Sequence, residues 1–197
     1  KRYWNKKDEK NIEDDYIDIK NKTKNLLFES VKEQFISDVP LGAFLSSGID
    51  SSLIVSMMQE ITPGNVNTFS IGFEEKEYDE SKNAKKIASF LKTNHSEFSV
   101  STKDVQDMIP YISEIYDEPF SDSSQVPTYL VSKFAKQKVK VSLSGDGGDE
   151  LFGGYNRYLW TPNIINKLNK IPFPLRKIFA NTLLYFQKHN IKVSDGL

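Results

Sequence analysis

In the run Phe44-Leu45-Ser46-Ser47-Gly48-Ile49-Asp50-Ser51-Ser52, apolar residues give way at once to small and hydroxyl-bearing ones, then to an acid and two more serines. An apolar stretch (Leu41, Ala43, Phe44, Leu45) precedes the change and an apolar-periodic segment follows it. This order predicts a buried strand, a tight loop and the start of a helix. Such a loop offers backbone N–H groups and the positive end of a helix dipole to a phosphate or pyrophosphate. Small residues let the backbone close on the anion, and serine hydroxyls add donors. Asp50 is out of place beside an anion unless a cation arrives with it. Mg2+ shared between Asp50 and the phosphates would remove the repulsion. The plainer alternative is an ordinary helix start capped by Ser or Asp.

A second constellation runs from Val141 to Tyr158 and contains Ser144-Gly145-Asp146-Gly147-Gly148-Asp149-Glu150-Leu151-Phe152-Gly153-Gly154-Tyr155. Five glycines and three acids gather there, directly after a short alternating strand pattern. A surface turn seldom needs both that much backbone freedom and that much like charge.

The elements that must carry these loops follow from periodicity. Residues 1–18 read as an extended, charged linker that docks through Tyr3 and Trp4. Leu27, Val31 and Phe35 then form a helical stripe over Ile19–Ile36, which Asp38 and Pro40 end. Strands are expected at Leu41–Leu45, Asn67–Phe73, His95–Val100 and Lys140–Ser144. Helices are expected at Ser51–Glu60 (Leu53, Ile54, Met57 and Met58 inward), Ser81–Leu91, around Val105–Ile115, and at Thr128–Lys138. Pro119 and Pro127 read as breakers, and further helices fall at Ile164–Leu168 and Arg176–Gln187. The alternation predicts an α/β fold, an open and mostly parallel sheet with helices on both faces. Ligands of such sheets sit at the carboxyl ends of the strands, where both glycine-bearing loops fall. The strand Asn67–Phe73 ends beside the first loop, so Ile71 is a candidate for apolar contact with an adenine.

Composition narrows the partners. The 197 residues are 38% hydrophobic and 27% charged, with a formal net charge of −1, so no global basic field points to nucleic acid. The absence of cysteine removes disulfides, thiolate metal sites and cysteine nucleophiles, and fits a reducing cytoplasm. No apolar run reaches the roughly 20 residues that span a bilayer. His95 and His189 lack metal-ligand spacing and read as structural. Lys133, Lys136, Lys138 and Lys140 read as a solvated face.

The first segment resembles the S-G-G-x-D-S pyrophosphate loop of ATP pyrophosphatases and, with Ser52, its form in glutamine-dependent asparagine synthetases. The second resembles the L-S-G-[DE]-G-x-D-E-x-F-G-G-Y segment of the same synthetases, and the likeness extends over Lys1–Tyr158. This resemblance implies a class B synthetase domain of the PP-loop superfamily, with an adenine nucleotide α-hydrolase-like sheet and a helical C-terminal part. It implies that ATP with Mg2+ activates aspartate as β-aspartyl-AMP, and that ammonia from glutamine then yields asparagine. Phe44 would line the nucleotide, and Ser46, Ser47, Gly48, Ile49, Asp50, Ser51 and Ser52 would hold its phosphates. Ser144 and Gly145 would touch nucleotide or aspartate. Asp50 and Asp149 would serve the metal, with Asp149 facing pyrophosphate or the substrate ammonium. Asp146 would be the nearby acid.

Two positions depart from the pattern. Ser47 stands where glycine is usual and requires a permissible backbone angle. Asp146 stands where several members have a glutamate proposed to help deprotonate ammonia, and it is one methylene shorter. Asp79 matches an acid near the pyrophosphate, though an acid starting a helix also complements its dipole. Asp122, Ser123 and Ser124 resemble a substrate-side loop.

The resemblance divides the chain into a linker (1–18), a synthetase core (19–160) and the start of a helical portion (161–197). The linker-like start and the late helical pattern suggest an excised part of a longer cytoplasmic enzyme. A glutaminase domain would precede it, and a helical part bearing a catalytic lysine would follow. Nucleotide binding by this stretch is then expected to be moderate and catalysis weak or lost. The apolar helix faces suit either that missing part or a homodimer. Two alternatives stay open: a ligase or cyclase that adenylates another carboxylate, and a non-catalytic nucleotide-binding scaffold.

Overall fold

The computed structural model describes residues 15–74, 79–118 and 121–188, with side chains up to 185. Tyr3, Trp4, Pro119 and His189 lie outside the described residues. The chain divides into two compact units, Lys1–Asp146 and Gly147–Leu197.

In the first unit α1 (Tyr16–Gln34) begins earlier than the apolar stripe suggests, because the Asp15 side chain accepts the Ile17 amide and caps it. Then follow β1 (Leu41–Phe44), α2 (Ile49–Ile61), β2 (Asn67–Phe73), α3 (Ser81–Leu91) and β3 (Asn94–Val100). The next helical stretch is broken. α4 (Thr102–Met108) starts on a Ser101–Asp104 capping box, a 3-10 turn at Ile109–Tyr111 carries Pro110, and α5 (Ile112–Ile115) completes it. Pro110 has no amide to continue the α ladder, which explains the turn. α6 (Gln125–Ala135) takes Pro127 inside its first turn, contrary to the breaker reading. An amide there has no intrahelical acceptor, so proline removes nothing. β4 (Val141–Leu143) closes the set.

All strand pairs are parallel, in the order β3-β2-β1-β4. The chain therefore builds outward from β1 through β2 to β3, then crosses back to place β4 on the other side of β1. Phe44 pairs with Phe69 and Ala43 with Leu143, so the carboxyl ends of β1 and β4 are nearly level, while β2 runs on past them to Phe73.

Helices cover both faces. On one, Val31 of α1, Val55, Met57 and Met58 of α2, and Ala84 and Ala88 of α3 bury against Ala43 and Leu45. On the other, α6 packs Val131 and Ala135 on Phe69, while Val126 and Leu130 join Val100 and Met108. Phe134 meets Phe69 edge-on at 6.0 Å. Fully burying side chains such as Val55 or Met58 contributes about 1.5–3 kcal/mol each. In α2 the inward stripe is Ser51, Val55, Met57 and Met58; Leu53, expected inward, is exposed.

The second unit holds α7 (Gly148–Phe152), α8 (Asn156–Asn169) and α9 (Phe173–Lys188). α7 was not expected from the glycine-rich pattern. Gly147 makes its start with φ 89°, a left-handed angle that glycine adopts without strain.

Candidate functional site: two loops at the switch between β1 and β4

Strand order reverses between β1 and β4, the point at which open parallel sheets usually hold a ligand, in the crevice outside the carboxyl ends of the strands. Ser46–Gly48 leaves β1 there and enters α2. Ser144–Asp146 leaves β4 beside it.

The first loop is held by its own hydroxyls. Ser51 is buried in the first turn of α2, and its Oγ accepts the Ser46 amide at 3.1 Å and lies 2.8 Å from Ser46 Oγ. Ser46 Oγ accepts the Gly48 amide at 3.1 Å, and Ser52 donates to the Gly48 carbonyl at 2.7 Å. Gly48 is the N-cap of α2, and no side chain caps that helix start. Ser47 needs no special backbone: Lys92 is the only described non-glycine residue with positive φ. Its hydroxyl donates to Glu80 Oε2 at 2.7 Å, across from the N-terminus of α3.

Gly145 joins the two loops. A Cβ on Gly145 would lie 2.6 Å from the Ser51 amide nitrogen and 3.0 Å from Asp50 Cβ. Only a residue without a side chain lets the β4 loop rest on the start of α2. Beside it, Ser144 Oγ donates to Asp146 Oδ2 at 3.0 Å. The structure thus brings together Ser46, Ser47, Gly48, Asp50, Ser51, Ser144, Gly145 and Asp146.

Asp50 is half-buried on the first turn of α2. Among the described residues, no group of three or more metal-binding side chains forms a cage. That donor set fits a magnesium ion arriving with phosphates, which typically needs only one or two carboxylates.

Phe44 and Ile71 are half-buried and pack toward the Phe69–Val131 cluster under α6, while Ile49 is 84% exposed. Asp79 accepts the Ser81 amide at 3.1 Å. Bonds from the Ser81 hydroxyl and amide hold its carboxyl below the ordinary range. Asp122 accepts the Ser124 amide at 2.8 Å and shapes the loop before α6. His95 belongs to the sheet, not to the crevice. Its Nδ1 lies 2.9 Å from Thr68 Oγ1, its Nε2 lies 3.2 Å from Ser70 Oγ, and burial pushes its pKa down.

In the second unit Asp149 sits in the first turn of α7, its carboxylate in the space that a side chain on Gly154 would fill. Glu150 accepts the Tyr155 hydroxyl, which lowers the pKa of the acid and raises that of the phenol. Arg157 lies over the Tyr155 ring at 4.1 Å.

Sequence reasoning missed Glu80. The acid pair Asp79-Glu80 before α3 was the available signal, and only its first member resembles a site position.

A model of the family described as Asparagine synthase matches residues 22–194. A Methanocaldococcus jannaschii protein, named provisionally as a glutamine-hydrolyzing asparagine synthetase, is 47% identical over 171 residues, 85% of this chain and 33% of that protein. Asparagine synthetase [glutamine-hydrolyzing] 1 of Bacillus subtilis is 40% identical over 158 residues, 80% of this chain and 25% of its own. The enzyme of the same name from Arabidopsis thaliana is 34% identical over 68% of this chain and 25% of its own. The chain therefore spans about a quarter to a third of the length of these relatives. With a family model covering most of its residues and the parallel sheet carrying both loops, this chain belongs to the asparagine synthase family.

Proposed function

We propose that this chain carries the ATP-using site of a glutamine-dependent asparagine synthetase, which amidates aspartate through β-aspartyl-AMP. The observation that carries the reading is the seat of Gly145 on the Ser51 amide, which joins a phosphate-type loop to the second glycine loop at the switch point. The family relationship supplies the substrate class.

In this reading the uncapped start of α2 and the Ser46–Ser52 loop hold the pyrophosphate half of ATP, stabilising the charge that grows on it as it leaves. Phe44 and Ile71 form the apolar wall for adenine, with Ile49 at the loop tip. Asp50 is the carboxylate of the first loop for Mg2+, which would neutralise phosphate charge. In the second unit, Asp149 is the acid that the family resemblance assigns to metal or to the ammonium of aspartate. Ser144 and Gly145 border the carboxylate to be activated. Asp146, whose carboxylate accepts the Ser144 hydroxyl, is the acid nearest the attacking ammonia, with a reach one methylene shorter than the family's glutamate. No protein nucleophile is required, in keeping with a chain that has no cysteine.

The ammonia would come from a glutaminase domain of the same longer protein, in the cytoplasm. Pairing as a homodimer through apolar helix faces is compatible with this arrangement. Among the described residues no helix is long and apolar enough to cross a membrane.

The test is product identity in the full-length protein supplied with ATP, Mg2+, aspartate and either glutamine or ammonia. Phosphorus NMR should show AMP and pyrophosphate formed in step with asparagine. ADP and phosphate as the products would overturn the assignment.

A further inference from the structure

Glu80 stands at the N-cap of α3 yet makes no side-chain bond to its own helix. An acid in this place ordinarily serves the exposed amides of the first turn. Here Asp79 takes the Ser81 amide, and the Glu80 carboxylate instead accepts the Ser47 hydroxyl at 2.7 Å. The hydroxyls of Ser46, Ser51 and Ser52 bond within the loop and the first turn of α2. Ser47 sends its hydroxyl to another element.

The position of Glu80 is fixed from behind. A Cβ on Gly72, near the end of β2, would lie 2.9 Å from Ser81 Oγ and 3.0 Å from Asp79 Oδ1, so the start of α3 is pressed onto the strand. Ala84 and Ala88 bury the next turns against the sheet. The acid is therefore brought to the loop by packed structure and anchored there by a charge-assisted bond.

A fixed carboxylate beside an anion-binding loop opposes a free polyphosphate. Like charges a few ångströms apart repel, and that separation is well inside the screening length of about 8 Å at physiological salt. A polyphosphate already neutralised by a divalent cation escapes most of that repulsion. We propose that Glu80 is a specificity-determining residue of this loop. Tethered through Ser47, it admits nucleotide polyphosphate as the divalent-cation complex and rejects the free anion. The inference rests on the nucleotide-binding reading above and does not require Glu80 to hold the cation. Its charge selects the ionic form that enters.

Calorimetric titration of the protein with ATP, in excess Mg2+ and in EDTA, tests this with E80Q and S47A. E80Q keeps a hydrogen-bond acceptor and loses the charge. It should bind metal-free ATP about tenfold more tightly than the native protein, with Mg2+-ATP affinity changed by less than about twofold. S47A keeps the charge but frees the carboxylate, and should weaken discrimination by a smaller factor. Glu80 is exposed, so unfolding midpoints should match the native value and verify folding. An unchanged ratio of the two affinities in E80Q would overturn the role of Glu80 while leaving nucleotide binding intact. No ATP binding by the native protein under either condition would overturn both readings.

Discussion

Gly145 of the β4 loop rests on the Ser51 amide at the start of α2, so closely that a Cβ would stand 2.6 Å from that nitrogen. Two loops separated by most of the first unit are thereby held as one surface. The contact is backbone on backbone, so no rotamer change can relieve an added methyl group.

Gly145→Ala should therefore push the β4 loop away from α2. Overpacking of this kind costs about 1–3 kcal/mol, and thermal unfolding should show the loss. ATP affinity should fall by about tenfold or more in the same variant, because the geometry for the phosphates is disturbed on both sides. Retention of native affinity would mean that the two loops act separately.

Ser51 and Ser52 offer an internal comparison. Ser51 is buried and accepts the Ser46 amide, whereas the Ser52 hydroxyl donates to a carbonyl at the surface. Ser51→Ala leaves a half-enclosed amide without its acceptor and should cost about 1–3 kcal/mol. Ser52→Ala should stay within about 0.5 kcal/mol. Chemical denaturation of the two variants checks the order.

Asp50 separates function from stability. As an acid in the first turn of α2 it complements the helix dipole, so Asp50→Asn should cost less than about 1 kcal/mol. As the proposed carboxylate for the cation it matters far more to turnover, which should fall by about a hundredfold or more in the same variant. Parallel melting curves and pyrophosphate-release assays distinguish this from a purely structural acid, for which both losses would be small.

His95 predicts a pH dependence of stability. Burial lowers its pKa below the ordinary 6.5, with Glu97 opposing the shift and Lys85 adding to it. The unfolded chain thus binds its proton more readily than the folded one, so the stabilisation is complete above pH 6.5 and is lost as pH falls through the folded value. Melting temperature should drop from about pH 7.5 to about pH 5.5. His95→Asn should flatten that decline. Asp79, Asp104, Asp122 and Glu150 also have lowered values, but they titrate in a more acidic range and do not confuse this window.

Much of the scaffold was legible because its signals are local. β2 at Asn67–Phe73 and α3 at Ser81–Leu91 fall where alternation and helical spacing put them. Position decides over type for the prolines: Pro127, read as a breaker, is harmless in a first turn, and Pro110 splits one expected helix. The extra helix α7 depends on the backbone angle of Gly147, which composition does not disclose. Both glycine-bearing loops could be picked out from residue order. What joins them could not. The Gly145–Ser51 contact needs the β1–β4 pairing, and the Ser47–Glu80 bond needs α3 seated on β2. Such relations arise from strand register and helix packing, not from the spacing of residues along the chain.

The proposed function stands or falls on whether this site activates the side-chain carboxylate of aspartate with ATP. Exchange of labelled pyrophosphate into ATP, measured with Mg2+ and aspartate on the protein at its full encoded length, reads that step itself. Exchange should require aspartate and disappear in Asp50→Ala. Measurable ATP binding without exchange in the presence of aspartate would contradict the assignment, and would point to another carboxylate or to a site that only binds nucleotide.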